Sequence, residues 1–165
     1  MAAVDFDDNL LIAGFEDSLI GIWTVNDANL LRKIGGHTGG ITGIKLNGQL
    51  FATSSYDGSV RLWTVSGQNV AVFDEPAHLL RCIGFSGNTI VSGDFGGNLH
   101  LWEIEWKPSN GGVRIKRYHH TQIHKSHVVC LQVNVRRIVS GSRDKTVLVQ
   151  DFWAAAANKK AGGPH

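Results

Sequence analysis

The strongest constraint on this chain is that it repeats itself. Three twelve-residue segments superpose: Ile12-Ala-Gly-Phe-Glu-Asp-Ser-Leu-Ile-Gly-Ile-Trp23, Ala52-Thr-Ser-Ser-Tyr-Asp-Gly-Ser-Val-Arg-Leu-Trp63 and Val91-Ser-Gly-Asp-Phe-Gly-Gly-Asn-Leu-His-Leu-Trp102. A fourth, Val139-Ser-Gly-Ser-Arg-Asp-Lys-Thr-Val-Leu-Val-Gln150, keeps the pattern with Gln in the Trp place. Their last residues, Trp23, Trp63, Trp102 and Gln150, recur at nearly even intervals, the final one somewhat longer. The period of about 40 residues suits four-stranded propeller blades. Helical repeats of similar period are excluded locally. Ile41–Leu46, Leu50–Ser54 and Ser59–Thr64 are short, apolar and rich in β-branched residues, and they are divided by Asn47-Gly48 and Asp57-Gly58. Such dipeptides supply the positive φ angles of tight hairpins.

The pattern predicts an all-β chain of four consecutive antiparallel blades at about 2–35, 40–74, 79–118 and 128–152, within residues 1–153. It predicts about fifteen strands, with blade 4 lacking its outermost one. Residues 154–165 read as a low-complexity, flexible tail. Twenty glycines against three prolines fit many turns between short strands. A net charge of +2 argues against nucleic-acid and membrane-surface partners, which call for a strong basic excess. No apolar run is long enough for a spanning helix, and the N-terminus lacks a signal peptide's features. Two cysteines do not make a disulfide framework, so a reducing compartment, cytoplasm or nucleus, is expected.

Gly36-His37, followed later in the chain by Trp63-Thr64, resembles the Gly-His to Trp-Asp frame of WD-repeat β-propellers. His78 to Trp102 and His127 to Gln150-Asp151 repeat it at slightly shorter spacings. The likeness runs from about residue 2 to 152. The short links Phe6-Asp-Asp-Asn9, Phe85-Ser-Gly-Asn88 and Val133-Asn-Val-Arg136, with Cys130-Leu-Gln-Val133 and Ile138-Val-Ser-Gly-Ser-Arg-Asp144, narrow it. Together they resemble the propellers of F-box/WD-repeat proteins, the substrate receptors of cullin-based ubiquitin ligases.

The resemblance implies a structural role for residues that could otherwise suggest a hydrolase. In WD-repeat proteins the positions of His37, Thr53, Asp57 and Trp63 form a hydrogen-bonded tetrad tying the inner strands to the preceding loop. Blade 1 keeps Asp17 and Trp23; blade 3 has His78, Ser92 and Trp102 with Gly96 in the Asp place; blade 4 has His127, Ser140 and Asp144. A device whole once and partial three times reads as structural, whereas catalysis needs one oriented constellation in a pocket. No enzyme activity and no cofactor are expected. Cys82 and Cys130 occupy equivalent places in their inner strands and read as small buried apolar residues. His119, His120, His124 and His127 raise zinc, but no Cys or carboxylate lies among them, and no metal is expected. Lys107, Arg114, Lys116, Arg117 and Lys125 read as a solvated edge.

Propellers bind through the face where the loops entering the inner strands meet the turns between the second and third strands. In WD-repeat families the residue just before the turn Asp points there, and the matching positions here hold Glu16, Tyr56, Phe95 and Arg143. Aromatics and Arg are the types enriched at interface hot spots. In F-box/WD-repeat receptors, Arg at the places of Arg81 and Arg143 contacts phosphate, which guanidinium can grip with two parallel hydrogen bonds. The expected function is a non-catalytic module that binds a protein or peptide, phosphorylated ones included, as the substrate-recognition part of a ubiquitin ligase. The alternative is a structural WD-repeat scaffold in another complex. Because such propellers usually close with seven or eight blades, four blades are expected to form an incomplete ring with apolar flanks open to self-association.

Overall fold

Tight turns and alternating apolar residues build every element of this computed structural model, which describes residues 3–74, 78–107 and 112–151. All fifteen elements among them are β-strands, in four antiparallel sheets that follow chain order. The first sheet joins β1 (Ala3–Phe6), β2 (Leu10–Gly14), β3 (Ile20–Thr24) and β4 (Leu30–Ile34); the second joins β5 (Ile41–Asn47), β6 (Leu50–Ser55), β7 (Val60–Thr64) and β8 (Asn69–Phe73). The third contains β9 (Leu80–Ser86), β10 (Thr89–Asp94), β11 (Asn98–Lys107) and β12 (Gly112–Gln122). The fourth has three strands among the described residues, β13 (Val128–Val133), β14 (Arg137–Ser142) and β15 (Val147–Asp151). Each sheet is one blade, its innermost strand first. Blade 3 runs to Gln122 rather than to about residue 118, because β11 and β12 form a long hairpin that pairs Asn98 with Gln122 and Lys107 with Gly112. The expected tail, 154–165, lies outside the described residues. Among those residues, no helix is long and apolar enough to cross a membrane.

The turn between the second and third strands puts one residue at positive φ in every blade: Ser18 (69°), Gly58 (85°), Gly97 (86°) and Lys145 (69°). Glycine takes that conformation without strain, whereas Ser18 and Lys145 hold it against their own Cβ. A second irregularity recurs at the start of the inner strands. The register of β5 slips between Ile41 and Gly43, that of β9 between Leu80 and Cys82, and that of β13 between Val128 and Cys130. The extra residue of each bulge, Thr42, Arg81 or Val129, is left out of the ladder, and a bulge re-aims its side chain.

The core lies between blades rather than within them. Ile12, Ile20 and Ile22 of blade 1 pack with Ile41, Ile44, Phe51 and Trp63 of blade 2. Ala52, Val60, Leu62 and Phe73 of blade 2 pack with Ile83, Phe85, Ile90 and Trp102 of blade 3. Val91 and Leu99 of blade 3 pack with Val128, Leu131 and Ile138 of blade 4. The inner strand of each blade therefore covers the outgoing face of the blade before it. Space at these seams is tight: a Cβ on Gly14 would lie 2.4 Å from Ile41, on Gly43 2.8 Å from Ile83 and on Gly93 2.6 Å from Val128.

Candidate functional site

Blade 2 assembles its four polar residues into one chain of hydrogen bonds. Asp57 Oδ2 meets His37 Nδ1 at 2.8 Å, and His37 Nε2 meets Thr53 Oγ1 at 2.7 Å. Trp63 Nε1 donates to the same Thr53 oxygen at 2.9 Å. The turn supplies further donors to Asp57: Ser59 N–H at 2.9 Å, the Ser59 hydroxyl at 2.7 Å and Thr38 N–H at 3.0 Å. Burial pushes the Asp57 carboxyl up, but these donors and His37 outweigh it and bring its pKa down to about 2. Burial lowers the proton affinity of His37 in spite of Asp57. The Asp–His–hydroxyl order matches that of a hydrolase triad. However, Thr53 is fully buried and its oxygen is already engaged by the Trp63 indole, so no substrate atom can reach it.

Blade 4 builds the same device with His124, not with the expected His127. His124 Nε2 meets Ser140 Oγ at 2.9 Å, and His124 Nδ1 meets Asp144 Oδ2 at 3.1 Å. Asp144 also accepts from Thr146 N–H and Lys125 N–H, and the Thr146 hydroxyl leads the contacts that hold its carboxyl well below the usual range. The signal was in the spacing. His124 stands as far ahead of Ser140, Asp144 and Gln150 as His37 stands ahead of Thr53, Asp57 and Trp63. His127 comes too late in the chain to match.

Blade 3 departs further. His78 is exposed and lies over Gly96, whose Cβ, if present, would be 2.4 Å from the imidazole, so His78 joins no tetrad. Counted back from Trp102, the place that His37 holds relative to Trp63 falls on Pro76, which has no imidazole to offer. Among the described residues, the buried Ser92 Oγ and Trp102 Nε1 have no hydrogen-bond partner. Asp94, two places before the vacated Asp position, takes over the turn. It accepts from Gly96 N–H, Asn98 N–H and the Asn98 amide, each at 2.8 Å, and meets His100 Nε2 at 3.0 Å. His100 Nδ1 reaches the Tyr118 hydroxyl at 2.9 Å. The sequence reading missed this network, although an Asp moved two places upstream of a Gly-Gly turn was its visible trace. In blade 1, the Asp17 carboxylate accepts only from Leu19 N–H at 3.3 Å among the described residues, and Trp23 packs on Phe15 with centroids 6.3 Å apart.

The cysteines differ in environment despite their equivalent positions. Burial between blades 3 and 4 pushes the Cys82 thiol up to about 12, and its Sγ lies 3.6 Å from the Val128 carbonyl. Cys130 is exposed, not buried as its place in the repeat suggested, because no described residue of a following blade covers it. No group of three or more potential metal ligands occurs among the described residues. In the histidine cluster, His124 is committed to its tetrad, His120 stacks on Tyr118 and His127 packs on Phe95.

On the face where loops and turns converge, three of the named residues are held by a repeated backbone bond. Tyr56 N–H donates to the Gly40 carbonyl at 2.9 Å, Phe95 N–H to Leu79 at 3.0 Å and Arg143 N–H to His127 at 3.0 Å. The bulge in β9 sets Arg81 beside them, where its Nη1 donates to the Tyr56 hydroxyl at 3.3 Å. Tyr56 packs against Phe95 (6.4 Å between centroids) and Phe95 against His127 (4.4 Å). Arg81, Tyr56, Phe95 and His127 thus form one continuous strip across blades 2, 3 and 4. Glu16 and Arg143 are exposed on the corresponding turns of blades 1 and 4. Among the described residues, no side-chain hydrogen bond or ring contact links either of them to the strip.

The WD domain, G-beta repeat family matches residues 28–64 and 116–151. Autophagy-related protein 16 of Arabidopsis thaliana is 26% identical over 155 residues, covering 90% of this chain and 29% of that protein. F-box/WD repeat-containing protein 9 of Homo sapiens is 24% identical over 156 residues, covering 87% and 32%. The chain therefore spans under a third of the length of these relatives. Two computationally designed proteins with crystal structures, Ika8 and Ika4, superpose at TM-score 0.77 and 27% identity. They cover 92% and 91% of this chain, and 45% and 89% of their own. The repeat matches, the blade-by-blade sheets and these superpositions give the chain an all-β fold of four consecutive blades consistent with WD40 repeats.

Proposed function

We propose that this chain is a non-catalytic binding module whose strip of Arg81, Tyr56, Phe95 and His127, flanked by Arg143, receives an acidic or phosphorylated peptide. The observation that carries the reading is the continuity of the strip: two aromatic rings, a guanidinium and an imidazole from three blades, held on the loop face by backbone bonds. Aromatic rings supply apolar anchor area, and guanidinium groups supply charge-assisted hydrogen bonds to carboxylate or phosphate. Among Glu16, Tyr56, Phe95 and Arg143, Glu16 alone is acidic, and it stands on the turn of blade 1.

The ubiquitin-ligase reading rests on the resemblance to F-box/WD-repeat proteins and on the similarity to F-box/WD repeat-containing protein 9. A scaffold role in another assembly is supported by similarity of the same order to a protein named for autophagy. Fluorescence anisotropy with phosphoserine and phosphothreonine peptide libraries, each paired with its unphosphorylated counterpart, tests the binding claim. Phospho-selective binding that drops at least tenfold in both Arg81→Ala and Phe95→Ala is expected. Binding unaffected by either substitution would refute the assignment to this face. An F-box in the same gene as these blades would favour the ligase over the scaffold.

A further inference from the structure

The contact between Arg81 and Tyr56 has a direction that chemistry forces. A guanidinium carries only donors, so Arg81 Nη1 donates and the Tyr56 hydroxyl oxygen accepts, at 3.3 Å. The hydroxyl keeps its own proton, and no acceptor among the described residues takes it. The other N–H groups of Arg81 are likewise without a partner among the described residues. No described carboxylate pairs with Arg81 either, whereas Arg137 meets Asp151 at 2.8 Å and Lys45 meets Asp5 at 3.5 Å. Arg81 and Tyr56 thus set several N–H donors and one O–H donor side by side, under one uncompensated positive charge.

The two partners differ in how firmly they are held. Tyr56 N–H donates to the Gly40 carbonyl at 2.9 Å. Next to it, the Ser55 hydroxyl donates to the Gly39 carbonyl at 2.8 Å and accepts from Asp57 N–H at 3.1 Å. Loop and turn lie so close that a Cβ on Gly39 would fall 2.7 Å from Asp57 N. The Tyr56 ring also leans on Phe95. Arg81, by contrast, is exposed and is the extra residue of the β9 bulge, at the end of a side chain whose rotamer freedom is costly to freeze. Fixing such a side chain before a ligand arrives removes that cost from binding.

Resting on the reading of the strip as a peptide site, we infer that Tyr56 is the positioning residue for Arg81 and that the two act as one clamp on a single oxyanion of the peptide. The hydroxyl oxygen holds the guanidinium, while the hydroxyl proton and the remaining guanidinium N–H groups receive the anion. Accepting a charge-assisted hydrogen bond polarises the hydroxyl and makes it a better donor. The tyrosine ring, which phenylalanine would supply equally, does none of this. Carboxylate and phosphate share the acceptor oxygens that the clamp requires.

A double-mutant cycle on the full chain tests the clamp, using Tyr56→Phe, Arg81→Ala and the two together. Fluorescence anisotropy follows three probes: the phosphoserine peptide that the wild type binds best, its glutamate-substituted form and its alanine-substituted form, so that the arms separate phosphate from carboxylate and from no anion. Both residues are exposed, and circular dichroism checks that each variant folds. Tyr56→Phe should weaken the better-bound anionic peptide by about tenfold while leaving the alanine peptide unchanged. In the Arg81→Ala background the same substitution should cost under about twofold, because the clamp is already dismantled. Equal losses in the two backgrounds, no loss in Tyr56→Phe, or a loss shared by the alanine peptide would overturn the clamp while leaving the peptide site standing. Anionic peptides that bind Arg81→Ala as well as the wild type would remove the peptide site, and the clamp with it.

Discussion

Replacing Trp63 and Trp102 by Phe, one at a time, removes the same atoms from equivalent places in blades 2 and 3. Both indoles are fully buried or nearly so, at 2% and 0% exposure, and both stand at blade seams. The cost of lost volume is therefore similar and largely cancels in the comparison. What differs is the indole N–H. Trp63 Nε1 donates to Thr53 Oγ1 at 2.9 Å, and losing that bond costs a net 0.5–1.5 kcal/mol, roughly. Trp102 Nε1 has no partner among the described residues, so removing it relieves a desolvated donor worth about 1–3 kcal/mol. Trp63→Phe should thus be less stable than Trp102→Phe by about 3 kcal/mol, on the order of 6–12 °C in Tm for a chain of this size. Guanidinium unfolding followed by far-ultraviolet circular dichroism, at one protein concentration, measures the difference. Equal midpoints, or a lower midpoint for Trp102→Phe, would refute the reasoning.

Exchange of the two candidate tetrad histidines gives a second check. His124→Ala should lower stability by about 2 kcal/mol by stranding Asp144 and Ser140, while His127→Ala should change it by under about 0.5 kcal/mol. Equal losses in chemical denaturation would contradict the assignment of His124. Acid should destabilise the fold in two windows. Folded His37 takes a proton less readily than the unfolded chain, whose His titrates near 6.5, and folded Asp57 titrates at about 2 against 3.8. In both ranges the unfolded chain binds more protons, so stability is full above pH 6.5 and falls as pH drops, first through that region and again between 3.8 and 2. A Tm that rises on acidification from pH 7 to 5 would show the sign to be wrong. In dilute native protein, one thiol, Cys130, should react quickly with Ellman's reagent, and Cys82 only after unfolding. Two fast thiols would contradict the packing of Cys82 beneath Val128.

Much of the architecture is local and could be read from the sequence. A short pattern recurring about every 40 residues, with turn dipeptides inside it, defines strands, hairpins and blade order, because each hairpin is specified by residues a few positions apart. His37, Thr53, Asp57 and Trp63 could be grouped for the same reason. The choice between His124 and His127 was present in the spacing to Ser140, Asp144 and Gln150, but two histidines close together in one loop made either alignment look acceptable. The rest depended on packing between elements distant in sequence. Nothing local joins Asp94 and His100 to Tyr118, because the link exists only once β11 and β12 pair at Trp102 and Tyr118. The register slip in β9 puts Arg81 on the Tyr56 hydroxyl, across from another blade. Cys82 and Cys130 share a pattern position but not an environment, for Val128 covers one and no described residue of a following blade covers the other. A repeat sequence specifies each blade's own hydrogen-bond ladder. Which side chains are buried, and which come together into a continuous strip, is decided by the neighbouring blade, through apolar contacts that a single repeat cannot make alone.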